Sequence, residues 1–160
     1  MQKEKLSKED SQKIKHLIET LEQDQKSFIF LEPVDVEGLG LTDYLEIVKN
    51  PMDISTIKKK IKLNHYNSLQ EVLLDLQLIW SNCKLYNQEG SEIYLLAVYM
   101  EKLNKKLIDK MFKDKEKTEK TEKTEKTEKR RNKVEEQQNF EQSLIGSGSV
   151  AVGKESKEKM

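Results

Sequence analysis

Apolar side chains recur at helical spacing as far as Phe112 and then stop; from Lys113 to Lys133 there is not one. A core is assembled from such side chains, so whatever folds here folds within the first part of the chain. Charged residues make up 36% of the sequence and apolar residues 35%, too few for a core spread over all 160 positions. The division expected is a short N-terminal tail over 1–6 and one domain over 7–112. A charged spacer over 113–133 and a flexible tail over 134–160 follow, both solvated.

Four helical stretches can be read inside the domain, and no convincing period-2 alternation competes with them. The first opens at Ser7, with Asp10 three residues on as a capping pair, and its stripe is Ile14, Leu17, Ile18 and Leu21. The second follows Pro51 and carries Ile54, Ile57 and Ile61, with Asp53 or Ser55 as its cap. The third has a full capping box, Ser68-Leu69-Gln70-Glu71, ahead of Val72, Leu73, Leu76, Ile79, Trp80 and Cys83. The fourth starts near Ser91 and runs through Ile93, Leu96, Ala97, Met100, Leu103, Leu107 and Met111. The fold class is therefore all-α, a four-helix bundle with a charged low-complexity C-terminal extension.

One connection is out of proportion. Residues 27–51 hold both prolines, Pro33 and Pro51, and two glycines, Gly38 and Gly40. Loops of that length inside a small domain are usually functional. This one must fold back on the bundle and can form one wall of a site, with a short helical piece over 42–48. Between Ser27 and Val48 it carries five acids (Glu32, Asp35, Glu37, Asp43, Glu46) and no Lys or Arg. In the extension, Glu-Lys-Thr repeats four times from Glu116 to Thr127. A three-residue repeat presents no continuous apolar stripe. It does place Lys four residues after each Glu, while threonine lowers helix propensity at every third position, so helix and disordered spacer both remain open. Beyond it, Val134, Phe140, Leu144 and Ile145 form a weak apolar cluster suited to docking, and Gly-Ser-Gly-Ser at 146–149 reads as a linker.

The residues filling this order of elements resemble the bromodomain family. Phe28-Ile29-Phe30 stands where that family often has Trp-Pro-Phe, and Pro33-Val34-Asp35 matches its Pro-Val-Asp. Leu39, Leu41, Asp43 and Tyr44 follow at family spacing, and Asn50-Pro51-Met52-Asp53 resembles the Pro-Met-Asp element. Asn82-Cys83-Lys84-Leu85-Tyr86-Asn87 matches Asn-Cys-x-x-Tyr-Asn, and Ile93 falls at the gatekeeper position. The two motifs at the right separation are a far stronger signal than either alone. The shelf departs from the pattern at Phe28 and Ile29, and Leu45 stands where some relatives have a second Tyr.

The resemblance implies a reader of acetylated lysine. By position, Asn87 would donate its side-chain N–H to the acetyl carbonyl and Tyr44 would hold that oxygen through a water. Val34, Leu39, Leu41, Phe30, Tyr86 and Ile93 would form the apolar wall, and Glu32, Asp35, Glu37 and Asp43 an acidic rim facing a basic peptide. Acetylated histone tails are the implied partners, within a chromatin-remodelling or transcription-regulating complex reached through the C-terminal tail, and the implied location is nuclear. Acetylation turns an ammonium with three donors into a neutral amide with a methyl group. A slot of this kind accepts the product and excludes the precursor, because an unpaired buried ammonium costs several kcal/mol.

Each of these residues has a plainer role available. Alone, Asn87 reads as a helix terminator, Tyr44 and Tyr86 as core tyrosines, Val34, Leu39, Leu41 and Ile93 as core aliphatics, and the acids as a solvated loop. The rival reading of the whole is a bromodomain-like scaffold that has lost acetyl-lysine binding. Other classes find less support. Residues 1–114 carry 17 Lys+Arg against 19 Asp+Glu and the remainder 12 against 10, without the positive excess that phosphate-backbone binding demands. No acid–base pair or Cys–His arrangement suggests an enzyme, and His16, His65 and Cys83 lack ligand spacing, so neither a metal nor a cofactor is expected. The lone Cys83, the polar N-terminus MQKEKLSKED and the lack of a bilayer-length apolar run lead to the expectation of a soluble intracellular protein.

Overall fold

The computed structural model describes residues 5–148, so the N-terminal tail expected over 1–6 and the flexible tail expected over 134–160 lie partly outside the described residues. Within them the elements are α1 (Lys8–Gln23), a 3-10 helix (Gln25–Phe30), α2 (Tyr44–Ile47), α3 (Ile54–Lys62), α4 (Leu69–Tyr86) and α5 (Glu92–Gly148). The described residues contain no strand, and no helix among them is long and apolar enough to cross a membrane. The chain divides after Phe112 into two units.

In the first unit α1, α3 and α4 start on side-chain caps. Ser7 Oγ accepts the Asp10 N–H at 3.0 Å. Asp53, not Ser55, caps α3, its carboxylate receiving the Thr56 N–H at 3.0 Å, the Ser55 hydroxyl at 2.5 Å and the Thr56 hydroxyl. At α4, Ser68 Oγ accepts the Glu71 N–H, while the Glu71 carboxylate reaches back to the Asn67 N–H at 2.8 Å. The expected box thus closes one residue further out.

The apolar stripes converge on one core. Ile14, Leu17, Ile18 and Leu21 of α1, Ile54 and Ile57 of α3, Val72, Leu76, Ile79 and Trp80 of α4, and Ala97 and Met100 of α5 are all buried. Trp80 is fully enclosed and meets Phe30 edge to face, ring centroids 5.1 Å apart, a favourable arrangement of aromatic quadrupoles. Phe30 reaches it from the 3-10 helix, whose last four residues fall in the stretch expected as the long loop. Asp24 builds that turn: its N–H closes α1 on Leu21, and its carboxylate accepts the Lys26 N–H at 2.8 Å. Ile93, placed on the apolar stripe of the last helix, is 46% exposed rather than packed in this core.

Among the described residues the second unit is the remainder of α5. It is helical through the Glu-Lys-Thr repeat, and every described side chain from 113 to 146 is exposed. Each repeat threonine donates its hydroxyl to the carbonyl four residues back, as Thr118 does to Asp114 and Thr127 to Lys123. The stretch from 134, expected as a flexible tail, is helical as far as Gly148, into the Gly-Ser linker. Glu, Gln and Leu are good helix formers, and no proline or glycine interrupts them before Gly146.

Candidate functional site

The long connection is held in shape first by itself. The Leu39, Gly40 and Leu41 N–H groups return to the carbonyls of Asp35, Glu37 and Val36 at 2.9–3.1 Å. The Asp35 carboxylate accepts the Gly38 N–H at 2.9 Å, and a Cβ at position 38 would fall 2.1 Å from its other oxygen, so a side chain there would push the carboxylate off this bond. The loop is then tied to the bundle. Ser55 N–H donates to the Leu31 carbonyl at 3.0 Å, Asn82 Nδ2 to the Asn50 carbonyl at 2.8 Å, and the Tyr86 hydroxyl to Asp43 Oδ1 at 2.8 Å.

Between the loop, the end of α4 and the start of α5 lies a cleft of about 500 Å³. It brings together all eight residues placed at the acetyl-lysine site by resemblance. Val34, Leu39 and Leu41 come from the loop, Phe30 from the 3-10 helix, Tyr44 from α2, Tyr86 and Asn87 from the end of α4, and Ile93 from the start of α5. Phe30 and Tyr44 are buried at 5% exposure, whereas Val34, Leu39 and Ile93 are open at 38%, 65% and 46%. The latter three are therefore not core, which separates the two readings their sequence allowed. The cleft also takes in Met52, Ile79, Asn82 and Cys83, which sequence reasoning had not assigned to it; all but Ile79 stand inside the two motifs quoted above.

The acidic rim is rearranged. Glu32 and Asp35 line the cleft. Glu37 is exposed on the turn and does not, because the turn that fastens Gly40 to its carbonyl holds it outside the lining. Asp43 does not line it either, since its carboxylate is turned onto the Tyr86 hydroxyl.

Asn87 terminates α4. Its backbone N–H and its side-chain Nδ2 both donate to the Cys83 carbonyl, at 3.1 and 2.9 Å. A carboxamide nitrogen has two hydrogens. The second has only Cys83 Sγ at 3.6 Å, a weak acceptor that a ligand carbonyl would displace. Burial pushes the Cys83 thiol up to about 11, against the hydrogen bond from Asn87, so it is a neutral, unreactive wall. Its Sγ–H points to the Ile93 carbonyl at 3.5 Å.

Tyr44 packs its ring on Tyr86, centroids 4.9 Å apart at 68°. Burial first, and the Cys83 sulfur second, raise its phenol above the usual range, so it stays a neutral donor. Among the described residues its hydroxyl has no hydrogen-bond partner, yet it is not a sealed buried atom. The arrangement is thus an apolar slot with an amide N–H, a phenol hydroxyl and no cation. Among the described residues no cluster of His, Cys, Asp or Glu suits a metal ion.

Comparison with known proteins agrees with this geometry. The chain is 46% identical over 68 residues to Transcription factor GTE1 of Arabidopsis thaliana, covering 42% of this chain and 18% of that protein. It is 43% identical over 82 residues to Transcription factor GTE4 of the same plant, covering 51% of this chain and 11% of that one. The matched region thus spans less than a fifth of the length of either relative. The bromodomain profile matches residues 14–99, which include the loop, both motifs and every lining residue of the cleft, and the chain therefore belongs to the bromodomain family.

Proposed function

We propose that the domain reads acetylated lysine on histone tails through this cleft, with Asn87 as the anchor for the acetyl carbonyl and Tyr44 as the water-mediated partner. The observation that carries the reading is the Asn87 carboxamide: one N–H is fixed on Cys83, and the other faces an apolar cleft with nothing better than sulfur to accept it. Val34, Leu39, Leu41 and Ile93 grip the methyl group and the alkyl stem, with Phe30 and Tyr86 behind them. The two groups assigned to the acetyl carbonyl, the Asn87 carboxamide and the Tyr44 phenol, are neutral and set no counter-charge against an ammonium; the carboxylates in the lining, Glu32 and Asp35, belong to the loop wall. On this reading the cleft is a binding site, and its thiol, pushed up to about 11, and its raised phenol are both neutral walls at neutral pH.

Family membership and the transcription-factor relatives support a role in transcription regulation on chromatin, and hence a nuclear location. The apolar side chains Val134, Phe140, Leu144 and Ile145, all more than half exposed, suit docking to another subunit of such a complex. The test is an array of matched histone peptides, acetylated and unmodified, probed with the full chain. Preferential binding to acetylated members is expected. Equal binding to both sets, or none, would overturn the reading and leave the bundle as a scaffold.

A further inference from the structure

The hydrogen bond between Tyr86 and Asp43 joins positions 43 residues apart, and each stands next in sequence to one of the two groups assigned above to the acetyl carbonyl. Asp43 precedes Tyr44, and Tyr86 precedes Asn87. A single bond therefore sets the separation of the phenol hydroxyl on the loop from the carboxamide on α4. Resting on the acetyl-lysine reading, we propose that this bond is a positioning latch: Asp43 and Tyr86 do not bind the acetyl group but hold its two polar partners in register.

Three features of the site support the assignment. First, Asp43 stands at the N-cap of α2, where an Asp ordinarily accepts a backbone N–H of its own helix, and it caps nothing. The carboxylate has given up its local use for a distant one. Second, Asp43 is exposed and Tyr86 only half-buried, so the bond adds little to global stability and its effect is confined to the geometry of the loop. Third, among the described residues the other hydrogen bond between this stretch and α4 is Asn82 on the Asn50 carbonyl, beyond the end of α2; the remaining tie is the apolar contact of the Tyr44 ring with the Tyr86 ring, which does not fix the direction of the hydroxyl. Without the latch, only the ring contact with Tyr86 holds the Tyr44 end in register, its position is less sharply fixed, and the ordering needed on binding is subtracted from affinity.

The test uses the full chain and one acetylated histone peptide with its unmodified counterpart, titrated calorimetrically. Y86F keeps the ring and removes only the donor; D43A removes the acceptor; D43N keeps an acceptor oxygen without the charge. Y86F and D43A are each expected to weaken acetyl-peptide binding about three- to tenfold, the range of one charge-assisted hydrogen bond discounted for exposure. Because both remove the same bond, the double variant should be no weaker than the weaker single, and D43N should recover most of the affinity. Amide exchange over 41–48 should quicken in Y86F and D43A, while the melting temperature stays within a few degrees.

Wild-type affinity in Y86F, multiplicative losses in the double variant, or a D43N as weak as D43A (which would make Asp43 a steering charge) each overturn the latch while the acetyl-lysine reading stands. A wild type blind to acetylation overturns both.

Discussion

Replacing Asn87 by alanine removes two hydrogen bonds of different worth, and the structure says how the loss divides. The bond to the Cys83 carbonyl is redundant, because the backbone N–H of residue 87 donates to the same oxygen at 3.1 Å and remains in the variant. Its loss should destabilise the fold by less than about 1 kcal/mol. The proposed bond to the acetyl oxygen has no substitute. Apolar side chains and a sulfur surround it, so the variant leaves that oxygen unpaired and partly desolvated, at about 1–3 kcal/mol. That is about ten- to a hundredfold in Kd. Calorimetric titration gives the affinity and thermal unfolding followed by circular dichroism gives the stability. The expected pattern is a large fall in acetyl-peptide affinity beside a shift in midpoint of a few degrees. If affinity changes less than twofold, or if binding of the unmodified peptide falls by the same factor, the anchor assignment is wrong.

Three further outcomes follow from other parts of the molecule. Asp53→Ala strips the buried cap of α3 of three accepted hydrogen bonds and should destabilise the domain by about 1–3 kcal/mol, read as a lower denaturation midpoint; an unchanged midpoint contradicts it. Burial would raise the Glu101 carboxyl, but bonds from Lys84 and Gln77 outweigh it and hold it below 4.5. Its contribution is therefore present above that value and lost as pH falls through the lower folded one, so the stability gap between wild type and Glu101→Gln should close in acid; a gap that widens there refutes the sign. A peptide of residues 113–148 should be partly helical at low salt and lose helicity towards about 1 M, where charge pairs are screened. Its four Glu–Lys pairs supply about 1–2 kcal/mol and its four threonines take back a similar amount; helicity insensitive to salt would show that the pairs do not hold the helix.

What could be read from the sequence was what is local. Ser7, Asp53 and Ser68 announce helix starts because a cap and its N–H lie three residues apart. The stripes of α1 and α4 are legible for the same reason, since helical spacing fixes which side chains share a face. The contacts that shape the cleft are not local. Asn82 finds the Asn50 carbonyl 32 residues away and Tyr86 finds Asp43 43 residues away, and no periodicity predicts either. Ile93 shows the limit most clearly. Its spacing puts it on the stripe with Leu96 and Met100, but the helix begins at Glu92 beside the cleft, so the first residue of the stripe looks into the slot rather than the core. The C-terminal extension stayed open between helix and coil because its propensity and its charge pairs nearly cancel.

The acids of the loop raise a question that the hydrogen bonds answer. Asp35 and Asp43 both hold structural bonds, which could be thought to remove them from any steering role. Their donors, however, are the Gly38 N–H and the Tyr86 hydroxyl, both neutral, so the bonds fix the carboxylates in place without setting a cation against them. Among the described residues none of the five loop acids forms an ion pair. The loop therefore presents a negative field, with Glu32 and Asp35 in the wall of the cleft, around two neutral polar groups, Asn87 and Tyr44. Attraction of a basic peptide then acts on encounter, and the neutral acetyl contact governs departure. In stopped-flow measurements, raising salt from about 50 to about 500 mM should lower the association rate of an acetylated basic peptide by roughly tenfold. The dissociation rate should change by less than about twofold, because no charge is exchanged at Asn87. If salt instead speeds dissociation and leaves association untouched, the acids contact the bound peptide directly, and the division between a steering rim and a neutral slot fails.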